Sequence, residues 1–380
     1  MAKSKTGVLI INLGTPQSSS VTDVRKYLRE FLMDARVIDI PLWRRFLLIN
    51  LIIAPFRAPK SAKAYRELWT PQGSPLKVHG QKLEGLLQEA LGADFEVKLA
   101  MRYQTPGIKS VLSHFKNKGF KRLIVIPLYP QYASSSSGST IEEVMNELKA
   151  WEVVPEIRMI SQFYEHPLFI KAFAQIGQKY MAQERLNSNV IPANAGNQYD
   201  HYLFSYHGLP EHQILKSSCD QYCRLGDCCS VLNAKNQYCY RAQCFETTRL
   251  LVKALGIKKE DYTICFQSRL GKTPWIKPYT DEVIKQLPAR GIKKVLVFSP
   301  SFVADCLETT IEIGVEYKKL FLEHGGERWL LAESLNAHPI WVDCLKQMVL
   351  SSVISRSSAD VIARSAVQCS PQGDEAISNL

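Results

Sequence analysis

Short, continuous apolar runs alternate along this chain with longer stretches that carry apolar residues at helical spacing. GVLIINLG (Gly7–Gly14), FEVKLAMRY (Phe95–Tyr103), KRLIVIPLYP (Lys121–Pro130) and EIRMIS (Glu156–Ser161) read as strands. So do HYLFSYHG (His201–Gly208), YTICFQS (Tyr262–Ser268), KKVLVFSP (Lys293–Pro300) and ERWLLAES (Glu327–Ser334). Helix-length segments such as Ser110–Asn117 and Thr140–Lys149 separate them. Strands that are apolar throughout, rather than alternating, belong to parallel sheets covered on both faces. Four precede residue 165 and four follow it, which predicts two doubly wound α/β domains with parallel four-stranded sheets and a cleft between them. The expected domains are 1–165 and 166–350, followed by a C-terminal helix and frayed tail over 351–380. The Asn-, Pro- and Gly-rich stretch Arg185–Gln198 predicts a surface loop, and the tail is expected to fray after Ala366.

In such folds ligands sit beyond the carboxyl ends of the strands, so the residues that follow each run mark the site. They are GTPQ (Gly14–Gln17), Arg102 with Tyr103, YPQYASSSSGST (Tyr129–Thr140), HGLPEH (His207–His212), QSRLGKTPW (Gln267–Trp275) and PSFVADCLETTIEIGVEY (Pro300–Tyr317). This rim is rich in aromatics, hydroxyls and glycine, and one histidine stands directly at a strand end. No GxGxxG is present, and no lysine follows the glycine of the serine-rich loop as in a P-loop, which disfavours a nucleotide enzyme.

Composition narrows the classes further. Hydrophobic residues make up 46% and charged residues 22%, as in a globular protein with a sizeable core. The formal net charge is +11, yet no basic run interleaves with aromatics as single-strand binders require. Nucleic acid is therefore not an expected partner, and the charge suits anionic ligands or lipid surfaces. The basic lead MAKSKTG enters the first strand without an apolar signal region, so a cytoplasmic protein is expected. One segment, Ile38–Lys60, has a membrane-like look, but its apolar part, Phe46–Phe56, is too short to span a bilayer. It predicts either a buried helix or an amphipathic lip resting in a membrane interface, with Trp43, Arg44 and Arg45 at headgroup level.

Chemistry concentrates on two features. Glu308, Glu312 and Glu316 recur every four residues and line one helical face, an arrangement that is ordinarily solvated but here starts at a strand's carboxyl end. His207 ends a strand between a tyrosine and a glycine. A histidine opposite a carboxylate row suits proton transfer or divalent-metal binding.

NLGTPQ (Asn12–Gln17), SPLKVHGQKL (Ser74–Leu83), MRYQTP (Met101–Pro106), PLYPQYASSSSGST (Pro127–Thr140), SYHGLP (Ser205–Pro210), QSRLGKTPWIKPYTDE (Gln267–Glu282), ADCLETTIEI (Ala304–Ile313) and SLNAHP (Ser334–Pro339) together resemble ferrochelatase. The resemblance runs from about residue 7 to 350 in the family's order. It implies two Rossmann-like domains of the chelatase fold, and insertion of ferrous iron, as substrate, into protoporphyrin IX. On the family's motifs His207, Glu308 and Glu312 carry the chemistry, with His207 and Glu308 nearest the metal. Arg102, Tyr132, Ser139 and Trp275 line the porphyrin, with an arginine able to pair with a propionate. The resemblance also implies peripheral membrane contact through 38–56, at the inner face, with a porphyrinogen oxidase upstream. Coproporphyrin is the alternative substrate, and a non-catalytic iron–sulfur or porphyrin-binding protein the alternative function. Cys306 departs from the family pattern, standing where some branches carry histidine.

Cys219–Cys244 is an insertion relative to shorter bacterial members, and it packs six of the ten cysteines into 26 residues. Paired zinc knuckles are poorly matched by its spacing, and a disulfide staple is disfavoured in a reducing cytosol. Some microbial members resembled here hold an internal 2Fe–2S cluster on four thiolates. The expected ligands are Cys219, Cys228, Cys239 and Cys244, with Cys223 and Cys229 as substitutes, because adjacent Cys228 and Cys229 should point apart in extended backbone.

Overall fold

The computed structural model describes residues 5–187, 199–271 and 273–354. The predicted loop beyond Asn187 and the predicted fraying tail lie outside the described residues.

All eight apolar runs form strands: β1 (Thr6–Gly14), β2 (Phe95–Tyr103), β3 (Arg122–Pro127), β4 (Glu156–Met159), β5 (His201–His207), β6 (Tyr262–Gln267), β7 (Lys294–Phe298) and β8 (Arg328–Leu331). They make two four-stranded sheets of order β2-β1-β3-β4 and β6-β5-β7-β8, parallel throughout. The second sheet repeats the permutation of the first. The helices between β1 and β4 are α1 (Val21–Leu32), α2 (Leu42–Leu47), α3 (Ala54–Leu68), α4 (Pro75–Leu91), α5 (Ile108–Asn117) and α6 (Ser139–Leu148). Beyond β4 come α7 (Pro167–Asn187), α8 (Glu211–Lys216), α9 (Tyr240–Leu255), α10 (Thr280–Gln286), α11 (Lys318–Glu323) and α12 (Pro339–Ile354).

Side chains alternate across each strand, so each sheet feeds two cores. Val8 and Ile10 of β1 join Phe204 and Tyr206 of β5 and Phe298 of β7 in one continuous apolar interior. Leu9 and Ile11 face the other way, onto Leu112, Phe115 and Val144. Leu203, Val295 and Val297 likewise back onto Ile284 and Phe321. The last helix, α12, packs on both α4 and α7, and its Trp341 is fully buried in the shared interior.

The segment Leu42–Leu68 is a broken helical arm: α2, a wider π-helical stretch (Leu48–Ile53), then α3. Its inner side, with Ile49, Ala54, Ala58 and Ala62, packs against Val24 and Leu28 of α1. Its outer side leaves Leu42 at 65%, Leu51 at 64% and Phe56 at 80% exposure. The buried-helix alternative therefore fails for that face. Arg45 also departs from expectation: it is buried and donates to the Ile38 and Ile40 carbonyls at 3.0 and 3.2 Å. Its guanidinium holds the entering turn, while Arg44 lies over the Trp43 ring at 5.0 Å.

Candidate active site and thiol lobe

His207 is the last residue of β5. Its Nδ1 lies 2.7 Å from the Gly208 carbonyl; a carbonyl only accepts, so Nδ1 carries the hydrogen, and in the neutral ring the lone pair is on Nε2. The pairing of β5 with β7 ends at Phe204, so the His207 backbone on that side needs other partners. Its N–H donates to Ser301 Oγ at 3.2 Å, and its carbonyl accepts from Tyr240 Oη at 2.8 Å. The Trp275 and Phe302 rings flank the imidazole, each with its centroid 6.4 Å away.

The glutamate row stands on a π-helical segment, Glu308–Tyr317, not the α-helix its spacing suggested. Hydrogen bonding from i to i+5 widens the turn, so residues four apart fall just short of one turn and still share a face. The row passes from the half-buried Glu308 and Glu312 to the exposed Glu316. Glu312 accepts from the Ser268 backbone N–H at 3.0 Å, Ser268 Oγ at 2.5 Å, Tyr317 Oη at 2.9 Å and Gln267 Nε2 at 3.3 Å. Burial nonetheless raises its pKa above the ordinary carboxylate range, with the Glu308 charge adding to the effect. The Ser268 hydrogen bond, the nearby His207 and the Tyr317 hydrogen bond offset part of it. Glu312 thus feels both His207 and Glu308. The charge of Glu308 also reaches the buried Tyr27, Tyr65 and Cys306. The Cys306 thiol, pushed up chiefly by burial, packs beside the site as an apolar group.

The other candidates gather on the first sheet. Arg102, 14% exposed, is already paired: its guanidinium donates to Asp34 Oδ2 at 2.8 Å and to Ser139 Oγ at 2.8 Å. Within the chain, the carboxylate paired with it is Asp34. Burial works to raise the Asp34 pKa, but hydrogen bonds from Ser139, the Arg36 backbone N–H and Tyr103, with the Arg102 charge, hold it below its usual value. Tyr132 and Arg36 line a cavity of about 280 Å³ with Gly138, Ile141, Glu142, Met145 and Asn146. None of the His207 group lines it. Asp34, Ser268, Tyr317 and Tyr240 were not singled out from sequence; only Tyr317 and Ser268 lay in quoted rim motifs.

The thiol lobe differs from its predicted ligand set. Cys223, Cys228, Cys229 and Cys239 line one narrow cavity. Cys223 and Cys228 are 3.9 Å apart through sulfur, and the Cys229 thiol, which donates to the Gly226 carbonyl at 3.5 Å, interacts with that of Cys239. Interaction with Cys229, first, and the helix N–H groups of Ala242 and Arg241 lower the Cys239 pKa against burial. Cys228 and Cys229 sit in a single 3₁₀ turn, Asp227–Cys229, not in extended backbone, which lets both reach the cavity. Cys244 lies more than a turn into α9 and points into the core, fully buried. Cys219 does not line the cavity. The cavity thus gathers Cys228 and Cys239 of the expected set with Cys223 and Cys229, and leaves Cys219 and Cys244 outside it. Among the described residues, no three His, Cys, Asp or Glu side chains are grouped so as to hold a metal ion.

Comparison with known proteins places these features in a family. The ferrochelatase family profile matches residues 5–353. The ferrochelatase of Legionella pneumophila is 45% identical over 343 residues, covering 90% of this chain and 98% of that protein. That of Coxiella burnetii is 44% identical over 351 residues, covering 92% and 94%. Among solved structures, SirB from Bacillus subtilis with Fe3+ overlaps at a TM-score of 0.47 with 13% identity, over 92% of this chain and 96% of that one.

Proposed function

The chain belongs to the ferrochelatase family, and from that premise we infer how its own residues carry out metal insertion. The protein is a metal-chelating lyase that puts ferrous iron into protoporphyrin IX to give protohaem. Two pyrrole protons must leave as iron enters. We assign the first to His207 Nε2, whose lone pair is left open by the Nδ1–H to Gly208 bond; that geometry carries the reading. Glu312, held at a raised pKa, is suited to keep and release the second. The exposed Glu316 offers the outlet, and Glu308 meets the incoming cation.

The two sheet domains, 1–165 and 166–350, form the walls of the porphyrin cleft. Trp275 is its aromatic wall beside His207. Tyr132, Arg102 and Ser139 belong to the opposite wall, where Asp34 neutralises Arg102; we assign Arg102 to shaping that wall, not to pairing with a propionate. The exposed face of α2 and α3 rests in a membrane interface, where an apolar porphyrin from an upstream oxidase would partition. No described helix is long and apolar enough to cross a bilayer.

A 2Fe–2S cluster is proposed on Cys223, Cys228, Cys229 and Cys239. Two thiolates at about 2.3 Å from one tetrahedral metal lie about 3.8 Å apart, and a two-iron cluster needs two such pairs rather than one group of three. The Cys223–Cys228 spacing of 3.9 Å and the Cys229–Cys239 contact support that pairing. The cavity is narrow, so seating the cluster moves the pairs apart. When bound, the cluster would supply a cross-link within the lobe, since insertion moves no net electrons.

The test is anaerobic incubation with ferrous iron and either protoporphyrin or coproporphyrin, followed by the product spectrum. Protohaem formation, abolished in His207→Ala, is expected; faster turnover of coproporphyrin would move the substrate, and a fully active His207→Ala would remove the histidine. The purified protein should carry visible charge-transfer bands with equal iron and sulfide. Colourless protein with zinc and no sulfide would overturn the cluster.

A further inference from the structure

The first turn of α9 touches three places at once. Cys239, its N-cap, lines the thiol cavity. Tyr240 is buried, and its phenol donates to the His207 carbonyl at 2.8 Å while also meeting Ser301. Arg241 donates through Nη1 to Cys229 Sγ at 2.8 Å and to the Gly226 carbonyl at 2.9 Å. Gln243 accepts the Tyr132 backbone N–H at 2.7 Å. A helical turn moves as a rigid unit, because its peptide groups are fixed by consecutive hydrogen bonds. A displacement of Cys239 is therefore a displacement of the adjacent Tyr240.

His207 is sensitive to that displacement. It stands where the β5–β7 ladder has already ended. Ser301 and Tyr240 hold its two backbone polar groups in place of the missing strand neighbour. We propose that Tyr240 is a positioning residue for metal insertion, and that through the first turn of α9 the thiol lobe sets where the His207 imidazole sits. This rests on the role of His207 and on the cluster given above. Tyr240 lies behind the histidine, so the effect falls on the rate of the bound complex and not on porphyrin affinity. Misplacing a reacting group by about 1 Å costs about 10²-fold.

The experiment compares wild type, Tyr240→Phe, Cys229→Ser and the double variant, all purified anaerobically. Tyr240→Phe is expected to keep its visible bands and iron content, leave the KM for protoporphyrin unchanged, and lower kcat about 10- to 100-fold. Amide hydrogen exchange over 201–208 should quicken in Tyr240→Phe and in Cys229→Ser, and no further in the double variant. A Tyr240→Phe with wild-type kcat, or one whose KM rises in step, overturns the positioning role. Additive exchange effects overturn the link to the lobe. If Tyr240→Phe fails to fold, cluster-loaded and cluster-free wild type decide the link: equal exchange at 201–208 refutes it. A wild type without iron or sulfide sinks the cluster and the lobe's part, and the kcat of Tyr240→Phe then judges the contact with His207 alone.

Discussion

Asp34→Ala removes a carboxylate that three side chains address. Asp34 is 5% exposed in its side chain and its partner Arg102 14%, so solvent screens the pair little. Arg102 Nη2, Tyr103 Oη and Ser139 Oγ all donate to Oδ2, at 2.8, 2.9 and 2.5 Å. Hydrogen bonds to a charged acceptor contribute about 1.5–3 kcal/mol each, but these share one atom and offset one desolvation penalty, so they do not add. The larger effect is the guanidinium left buried without its counter-charge, for which breaking a buried pair costs about 3–5 kcal/mol. Chemical denaturation at pH 7 should show a loss of that size. Replacing both partners, Asp34→Leu with Arg102→Met, should recover most of it, because no charge is then stranded. The pH dependence carries a sign: Asp34 titrates below its ordinary value in the folded chain, so its contribution is present above the unfolded carboxylate pKa. It is lost as pH falls through the depressed value. A loss under about 1 kcal/mol in Asp34→Ala, or a double variant worse than the single, would refute the assignment of a buried, mutually dependent pair.

Glu312→Gln should lower the insertion rate by about 10²–10⁴-fold. Because Glu312 is raised, the native chain holds its proton where the unfolded chain has lost it, and stability falls as pH rises from about 4.5 through the raised value; the Gln variant should lack that decline in denaturation measured between pH 4 and 8. Gly14→Ala should destabilise by more than about 2 kcal/mol, since φ is +119° and the added Cβ would meet the Tyr103 carbonyl oxygen at 2.0 Å; a thermal melt matching wild type would contradict the close pairing of β1 and β2 at Gly14 and Tyr103. Replacing Leu42, Leu47 and Ile52 by Ser should weaken binding to lipid vesicles and leave circular dichroism native, because all three side chains are exposed; an unfolded variant would mean the face is core.

Continuous apolar runs made the central strands β1, β3, β5 and β7 legible, because a strand buried on both faces has no other composition open to it, while the half-buried edge strand β4 was read from a shorter, mixed run. The strand-end position of His207 followed from the same runs. The π-helical geometry at Glu308–Tyr317 did not, since the acidic spacing suits either helix. Asp34 escaped notice because its partners, Arg102 and Ser139, lie 68 and 105 residues away, and a lone aspartate after a helix carries no local sign of burial. The grouping of the thiols was not legible for a local reason: Cys228 and Cys229 curl into a 3₁₀ turn where extended backbone was expected, and Cys244 falls on the core side of α9.

The packing of α12 on α4 has a consequence during synthesis. The first sheet is complete in sequence at Met159, yet the helix that covers α4 begins at Pro339. At about 5–20 residues per second, the nascent chain spends about ten seconds or more with that apolar flank bare. The ribosome thus releases a half whose finishing piece is the last described element made, and a message truncated before Pro339 yields a sticky fragment in place of a smaller working protein.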